Sequence, residues 1–354
     1  MDSCKILLVT FSDNSDMQDM TFGLYEELKG KQNVYLLSIK EPKSPLTKEN
    51  HIWLVDCPKR PGITRKSFDL KLLLSIIIKI KKEQFDVIYF ESLHLWNLPI
   101  MYFSGTSHTY QVIHDVVPHK GDRLAKAVEL MNKLVVRMAD TIVLRNKKHI
   151  QYLINKYGIK PQKVKFLSLC RRFPTYTPPK RNGKFLFFGR INPYKGGDNL
   201  IEIVRLCPTL EFNVVGRVDP QMQKTVDLLR NEPNVSIEDG YVTDDKMRLA
   251  FVQSDWIIIP YNSASQSGVI IDAYKYSRPV VAFSVGAISE QVENGISGYL
   301  VEAGNNRLFA DKLNRLPQSS SDEFTKMCKD AYQYGINNYS TKKVADQFLK
   351  LIGL

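Results

Sequence analysis

The sequence predicts an α/β protein made of two halves, each built around a parallel sheet. Short runs rich in Ile, Val and Phe recur along all 354 residues, and stretches with a helical pattern separate them. Runs that are almost continuously apolar are typical of strands covered by helices on both faces of the sheet. The pattern stops at residues 171–184, a stretch rich in Pro and basic residues, and restarts directly after it. We therefore expect two Rossmann-like domains with a cleft between them.

Thirteen of these runs are predicted as strands. In the first half they are 6–10, 34–39, 52–55, 87–90, 111–114, 141–144 and 164–167, and in the second half 185–188, 211–215, 235–237, 256–259, 279–283 and 299–301. This spacing predicts a first domain over residues 1–173, a linker over 174–183 and a second domain over 184–340. The sequence permits the last helical stretch, 341–354, to cross back to the first domain.

The cysteines and the first residues indicate a cytoplasmic protein. The five cysteines are scattered and form no Cys-x-x-Cys pair, which is typical of a reducing compartment and gives no disulfide or metal framework. The opening MDSCKILLVTF contains only a short apolar run, so we interpret it as a first strand and not as a signal peptide. No apolar run approaches the roughly 20 residues that span a bilayer.

The net charge of +12 lies entirely in the first half of the chain. Residues 1–180 contain 29 Lys and Arg against 17 Asp and Glu, whereas residues 181–354 contain 20 of each. Such a domain is expected to meet nucleic acid, an acidic membrane surface or a phosphorylated substrate. Nucleic acid is disfavoured because no binding module or interleaving of aromatic and basic residues is present. Segment 57–85 has eight basic residues around an apolar core. It is either a peripheral contact with anionic lipid at the inner face of the cell membrane or a buried helix with solvated ends.

The first junction with candidate chemistry is FGRINPYKGG, which follows the predicted strand 185–188. Ligands of such sheets bind where a strand ends and a loop enters the next helix. Arg190 and Lys195 lie five residues apart in this loop, so both can point to one place above the strand end. A guanidinium fork and a compact ammonium suit a diphosphate. The alternative is two solvated cations on a surface loop.

The second junction is PYNSASQSGVIIDAYK, a loop of small residues that enters a predicted helix near Ser267. The unpaired N–H groups and the positive dipole of a helix N-terminus bind phosphate, and Gly268 lets the ligand approach the backbone. Asp272, one turn further, can accept hydrogen bonds from two ribose hydroxyls. Alternatively, Ser267 or Ser265 caps the helix and Asp272 complements its dipole. Combined with Arg190 and Lys195, the loop favours a nucleotide-diphosphate site.

The third junction, YQVIHDVVPHKGD, places His114 at a predicted strand end, followed by Asp115 and His119. A satisfied structural histidine is the alternative to a catalytic one. The spacing of five between the two histidines does not match a helical metal pair, and the chain has no Asp-x-Asp pair. We therefore predict no protein-bound metal, which leaves charge neutralisation to Arg190, Lys195 and the helix end.

The motifs FGRINPYKGG, PYNSASQSGVIIDAYKYSRPVVA and VGAISEQVENGISGYLV resemble, in this order, the donor domain of retaining glycosyltransferases of the GT-B fold. The family is GT4 (glycosyl transferases group 1), in its Gln-Ser-Gly-Val variant, and HDVVPHKGD is similar to its acceptor-side loop. The resemblance covers essentially the whole chain and is specific over residues 184–302. It implies an α/β GT-B fold, with two Rossmann-like domains whose parallel sheets face each other across a cleft.

The resemblance also implies roles for individual residues. The donor-binding set comprises loop and helix residues: Gly189, Arg190, Lys195, Gln266, Ser267, Gly268, Val269 and Asp272. The catalytic set comprises His114, Asp115, Arg190 and Lys195, with His119 on the acceptor side. Arg190 and Lys195 would clamp the diphosphate, and His114 would lie beside the transferred sugar. Asp272 would replace the second glutamate of the family's E-x7-E motif.

Two stretches depart from the family pattern. Ala264 stands where the first glutamate of that motif is usual, and TFSDNSDMQDM lacks the paired glycines common in relatives. The first departure leaves the sugar hydroxyls without their usual carboxylate.

The function that we expect is transfer of a sugar from a nucleotide-diphosphate sugar to a glycan or a lipid-diphosphate-linked acceptor. The resemblance implies retention of anomeric configuration, no cofactor and a place in surface polysaccharide or glycolipid synthesis. The alternatives are a non-catalytic binder of nucleotide sugars or glycans, and an epimerase or hydrolase of sugar nucleotides with the same architecture. A dinucleotide oxidoreductase is disfavoured because no G-x-G-x-x-G follows the first strand.

Overall fold

The computed structural model describes residues 4–43, 46, 49–114, 116 and 125–354. The chain divides into two compact units. The first comprises Met1–Arg171 together with Thr341–Leu354, and the second comprises Arg172–Ser340. Each unit has an α/β architecture with a parallel sheet, as the pattern of apolar runs predicts.

The sheet of the first unit has seven strands among the described residues. They are β1 (Lys5–Thr10), β2 (Asn33–Ile39), β3 (Ile52–Val55), β4 (Val87–Phe90), β5 (His108–Ile113), β6 (Thr141–Leu144) and β7 (Val164–Phe166). The strand order is β3-β2-β1-β4-β5-β6-β7, and every pair is parallel. The helices of this part of the chain are α1 (Ser15–Leu28), α2 (Leu70–Glu83), α3 (Asn97–Phe103), α4 (Ala125–Met138) and α5 (Ile150–Tyr157).

The sheet of the second unit has six parallel strands in the order β10-β9-β8-β11-β12-β13. They are β8 (Lys184–Phe188), β9 (Glu211–Gly216), β10 (Val235–Asp239), β11 (Trp256–Ile259), β12 (Val280–Phe283) and β13 (Gly298–Val301). The helices are α6 (Gly197–Arg205), α7 (Gln223–Arg230), α8 (Asp244–Val252), α9 (Gly268–Lys275), α10 (Ile288–Gln291), α11 (Asn306–Arg315) and α12 (Ser321–Tyr339).

The last helix, α13 (Thr341–Leu351), belongs to the first unit and packs against α1. The two helices approach so closely that a Cβ on Gly23 would lie 2.6 Å from Cγ2 of Thr341. The Thr341 hydroxyl donates to the Glu27 carboxylate at 2.9 Å, and the Phe348 ring meets the Tyr89 ring edge-on at 5.2 Å. Glycine suits position 23, because a Cβ there would force the Thr341 side chain or α13 to shift.

Helix α2 settles how segment 57–85 folds. The helix begins after Asp69, whose carboxylate accepts a hydrogen bond from the backbone N–H of Leu72 at 2.9 Å. It ends at Gln84, which adopts the left-handed conformation with φ +54°. One face, which includes Ile76 and Ile80, is buried in the core of the first unit. Segment 57–85 therefore contains a buried helix, which is the second of its two predicted interpretations. Helix α2 also exposes apolar side chains.

Candidate functional site

The strand order of the second unit creates a crevice at a defined place. Strands β8 and β11 are hydrogen-bonded neighbours, while the chain builds the sheet outward from them in opposite directions. Ligands of open α/β sheets bind outside the carboxyl ends of the strands at such a switch point. The loop after β8 contains FGRINPYKGG, and the loop after β11 contains PYNSASQSG. Both predicted donor loops thus start from the two strands that flank the switch point.

The side chain of Lys195 folds back over the end of β8. A Cβ on Gly189 would lie 2.6 Å from the Lys195 ammonium nitrogen and 3.7 Å from Cγ2 of Val269. Glycine is also required here because φ of Gly189 is +99°. The ammonium lies 5.3 Å from the ring centroid of Tyr261, whose burial raises the pKa of its hydroxyl. The structure therefore brings three predicted residues together, with the cation beside the first turn of α9.

Two asparagines join the loops that follow β8 and β11. The Asn199 side chain donates to the carbonyl oxygen of Pro260 and to the amide oxygen of Asn262, both at 2.8 Å. The Asn262 side chain donates to the carbonyl oxygen of Pro193 at 3.0 Å, and its backbone N–H donates to the carbonyl oxygen of Tyr194. Sequence reasoning missed both asparagines. The position of Asn199, in the first turn after the paired glycines, is the signal that would have identified it.

Gln291 fixes the loop of small residues at Ser267. Its amide oxygen accepts from the Ser267 N–H at 2.7 Å, and its amide nitrogen donates to the Ser267 carbonyl at 3.0 Å. Ser267 is the N-cap residue of α9, yet its hydroxyl makes no capping hydrogen bond. Ser267 therefore does not cap the helix through its hydroxyl. Gln291 was missed by sequence reasoning, although it lies inside the third family-like motif.

Gln266 and Ala264 differ in what they offer to a ligand. The side-chain oxygen of Gln266 is buried and has no hydrogen-bond partner. A buried polar atom without a partner costs free energy. The Gln266 oxygen therefore favours a ligand with a hydrogen-bond donor at this place. Ala264 is buried, its carbonyl accepts from the Ala287 N–H at 3.1 Å, and a Cβ on Gly286 would collide with that carbonyl. Ala264 thus serves to pack the loop.

The remaining predicted residues of the second unit lie at the same edge of the sheet. Arg190 is exposed at the start of the loop that contains Lys195. Asp272 is buried, one turn after Gly268 on α9. An additional exposed cation, Arg217, follows the neighbouring strand β9, and its carbonyl accepts from the Ile191 N–H at 2.9 Å. Arg217 was missed because nothing in its local sequence distinguishes it from a surface arginine.

In the first unit, His114 follows β5 and contacts Glu91, which follows β4. Nε2 of His114 lies 2.9 Å from the Glu91 carbonyl oxygen, with which it forms a hydrogen bond, and 3.0 Å from the carboxylate oxygen Oε1. The contact with Oε1 is short but is not an aligned hydrogen bond. Because both neighbouring atoms are acceptors, Nε2 must carry a hydrogen. Nδ1 is therefore the ring nitrogen at which a substrate hydroxyl would bind.

Arg145 is the second partner of Glu91. Its guanidinium bonds the carboxylate directly, donates to the Tyr89 hydroxyl at 2.8 Å and donates to the Ser168 carbonyl at 2.9 Å. Burial raises the pKa of the Glu91 carboxyl, but the charge of Arg145 and the contact with His114 outweigh that effect and leave this pKa below its ordinary value. Glu91 is therefore ionised. Sequence reasoning missed it, although an acid directly after an apolar strand is a recognisable signal.

Two predicted residues, Asp115 and His119, lie outside the described residues. Among the residues that are described, no group of three or more His, Cys, Asp or Glu side chains is arranged to hold a metal ion. Within the same part of the chain, no helix is both long and apolar enough to cross a membrane.

Comparison with known proteins relates these features to a family. Residues 182–319 match the family model described as "Glycosyl transferases group 1". The D-inositol 3-phosphate glycosyltransferase of Geodermatophilus obscurus is 26% identical over 241 residues, which cover 58% of this chain and 51% of that protein. The chain thus spans about half the length of the curated relatives it matches.

Solved structures show the same fold. Anabaena HepE, in complex with UDP and glucose, has a TM-score of 0.76 and 16% identity, with 99% of each chain covered. Sucrose-phosphate synthase of Thermosynechococcus elongatus has a TM-score of 0.70 and 15% identity, with 99% of this chain and 98% of that chain covered. The predicted α/β fold of the GT-B type is therefore confirmed. The matched region lies within the second unit, and the chain as a whole has the fold of these solved structures. More narrowly, residues 182–319 are similar to the domain described as glycosyl transferases group 1.

Proposed function

We propose that this protein transfers a sugar from a nucleotide-diphosphate sugar to a glycan or a lipid-diphosphate-linked acceptor. The observation that carries the proposal is the position of the Lys195 ammonium, above Gly189 and beside the first turn of α9. A diphosphate needs fixed positive charge and N–H donors. The loop that contains Lys195 and the N-terminus of α9 supply both. The complex of the similarly folded HepE with UDP and glucose supports a sugar-nucleotide donor.

The other donor residues have complementary roles in this proposal. Arg190 and Lys195 together neutralise the negative charge of the diphosphate. The backbone of Ser267, Gly268 and Val269 contacts the phosphates or the sugar, since these residues open α9. The orphaned side-chain oxygen of Gln266 accepts a hydrogen bond from a sugar hydroxyl. Asp272 accepts from the ribose.

The chemistry follows from where charge develops. When the bond between the sugar and the phosphate breaks, the leaving nucleoside diphosphate gains negative charge and the sugar ring gains positive character. Fixed cations and N–H dipoles stabilise this separation, so the reaction uses no metal cofactor. The acceptor hydroxyl attacks from the side that the diphosphate leaves, and the departing phosphate oxygen takes its proton. This geometry retains the anomeric configuration.

His114 is assigned to the transferred sugar. With Nε2 held by Glu91, its Nδ1 accepts a hydrogen bond from a hydroxyl of the transferred sugar. Asp115 is assigned beside it, and His119 is assigned to the acceptor. The excess of basic residues in residues 1–180 favours a diphosphate-linked acceptor, and thus surface polysaccharide or glycolipid synthesis at the inner face of the cell membrane.

Calorimetric titration with UDP and GDP tests the donor site. Lys195→Met should weaken binding of the preferred nucleotide by roughly ten- to a hundredfold, as expected for a lost charge-assisted contact. Lys224→Met provides the matched control, because Lys224 is an exposed lysine on α7 in the same unit. Equal affinities of the Lys195→Met variant and the wild type would overturn the assignment.

Product analysis by NMR tests the reaction itself. With donor and acceptor, the product should keep the anomeric configuration of the donor; an inverted anomer contradicts the mechanism. With donor alone, appearance of an isomeric sugar nucleotide would identify an epimerase, and rapid release of free sugar a hydrolase. Tight binding of a nucleotide sugar without turnover on any acceptor would identify a non-catalytic binder. This alternative is tested because Ala264 stands where the family motif usually has a glutamate.

A further inference from the structure

Helix α2 exposes a row of apolar side chains on a face adjacent to its buried one. Leu70, Leu74 and Ile78 are 55% to 65% exposed. Residues four apart on a helix lie one above the other, so the three form a single stripe. Large apolar side chains gathered in this way mark an interaction surface, unlike single exposed ones.

Helix α4 repeats this arrangement. Leu130, Leu134 and Met138 are again spaced by four residues and are 37% to 60% exposed. Helix α3 ends with two exposed aromatic side chains, Tyr102 and Phe103. Three successive helices of the first unit thus expose apolar side chains.

These three helices cover the same face of the sheet. The chain passes from β3 to β4, β5 and β6 in one direction along the sheet, and α2, α3 and α4 are the crossovers. Right-handed crossovers in one direction lie on one side, whereas α1, which connects strands in the reverse direction, lies on the other. Met101 of α3 packs both against the core cluster that contains α2 and against the one that contains α4, which agrees with this placement.

The apolar rows lie among basic residues. The exposed cations on the two helices are Lys71, Lys79, Lys81 and Lys82 on α2, and Lys126, Lys133 and Arg137 on α4. The carboxylates nearby have partners of their own. Asp69 caps α2, Glu83 pairs with Lys5 at 2.6 Å, and Glu129 pairs with Lys156 at 2.7 Å. The face is therefore apolar along its helices and positive beside them.

A basic groove adjoins the row on α4. The groove has a volume of about 480 Å³, and its lining includes Lys126, Lys133, Arg137 and Lys156 together with the single carboxylate of Glu129. Four cations and one acid favour an anionic occupant. A phospholipid headgroup supplies a phosphate of suitable charge directly beside acyl chains that would meet the apolar row.

We propose that α2, α3 and α4 form a docking face for the surface of an anionic phospholipid bilayer. Leu74, Leu130 and their neighbours enter the boundary between headgroups and acyl chains, and the flanking lysines and Arg137 bind lipid phosphates. A second copy of this chain is a poorer occupant because it would place the same cations opposite one another. The proposal does not depend on the transfer reaction, since it concerns binding alone.

Co-sedimentation of the full chain with sucrose-loaded vesicles tests the face. The wild type should bind vesicles of phosphatidylcholine mixed with phosphatidylglycerol, bind poorly to phosphatidylcholine alone, and dissociate at high salt. Lys81→Gln with Lys82→Gln should lower the partition coefficient by roughly twentyfold or more, at about 1 kcal/mol for each basic residue. Leu74→Ser with Ile78→Ser should lower it by roughly tenfold or more.

The control is Leu249→Ser with Leu308→Ser, which replaces two exposed leucines of the second unit and should leave partitioning unchanged. Circular dichroism verifies that each variant is folded. Equal binding to neutral and anionic vesicles, or equal binding of the α2 variants and the wild type, overturns the proposal. Concentration-dependent self-association that Leu74→Ser abolishes would assign the face to a second copy and overturn it as well. None of these results alters UDP binding, so the donor site is tested separately.

Discussion

Replacing Glu91 by Gln should destabilise the first unit by several kcal/mol, although the two side chains have nearly the same shape. Glu91 is 1% exposed, and its carboxylate lies between Arg145 and His114. The substitution removes the negative charge and leaves the guanidinium buried. A buried charge without its counter-ion is costly because it has lost its hydration.

The contacts that remain in the variant set the size of the effect. Breaking a buried ion pair from one side costs about 3–5 kcal/mol. Arg145 would still donate to the Tyr89 hydroxyl and to the carbonyl oxygens of Leu167 and Ser168. These neutral acceptors stabilise the guanidinium in part, so we expect a loss near the lower limit, about 3 kcal/mol.

Urea denaturation provides the measurement, with hydrogen exchange of the strands in the first unit as the readout that separates this unit from the second. Glu83→Gln is the matched control. This substitution breaks the partly exposed ion pair between Lys5 and Glu83, whose charged atoms lie 2.6 Å apart. It should lower the free energy of unfolding by less than about 1 kcal/mol. Adding Arg145→Met to Glu91→Gln should recover part of the loss, since the unpaired charge is then gone.

The reasoning is refuted if Glu91→Gln and Glu83→Gln lower the free energy of unfolding by the same amount. It is also refuted if the double variant is no more stable than Glu91→Gln alone, because the buried charge would then not be the cause.

Two further predictions concern the loop at α9 and the pH dependence of stability. Gln291→Ala removes both hydrogen bonds to the Ser267 backbone, so the second unit should lose about 1–3 kcal/mol and the KM for the donor should rise; an unchanged KM contradicts the role of Gln291 in shaping the loop. Burial, opposed by a hydrogen bond to the Pro58 carbonyl, lowers the pKa of His94 to about 4. The folded state then binds fewer protons than the unfolded state between this value and the ordinary 6.5. The contribution of His94 is thus fully present above pH 6.5, and roughly 3 kcal/mol is lost as the pH falls through 4. His94→Gln should flatten this acid limb in urea denaturation, and an unchanged slope would exclude His94 as its cause.

The strands could be predicted from the sequence because they are buried on both faces. Each of the thirteen apolar runs corresponds to a strand among the described residues. Their ends were less certain: β5 begins at His108 and ends at Ile113, whereas the sequence predicts 111–114. Thr109 interrupts the apolar run, but its hydroxyl donates to the Asp140 carboxylate at 2.7 Å, so the strand continues through a polar residue.

The candidate site could be predicted only where a local pattern marks it. Glycines beside cations identify the loops of Gly189 and Gly268, because close approach of a ligand needs small residues at a strand end. Gln291 and Glu91 were missed for the opposite reason. Each acts through a contact with a residue more than twenty positions away in the chain, and no periodicity of the sequence records such a pairing.

The contact between Gly23 and Thr341 has a consequence for how the chain folds during synthesis. Since α13 belongs to the first unit, that unit is interrupted by the whole of residues 172–340. The ribosome completes the second unit before α13 is made, and domains generally fold as they emerge. The face of α1 beside Gly23 therefore stays uncovered until the second unit has been synthesised.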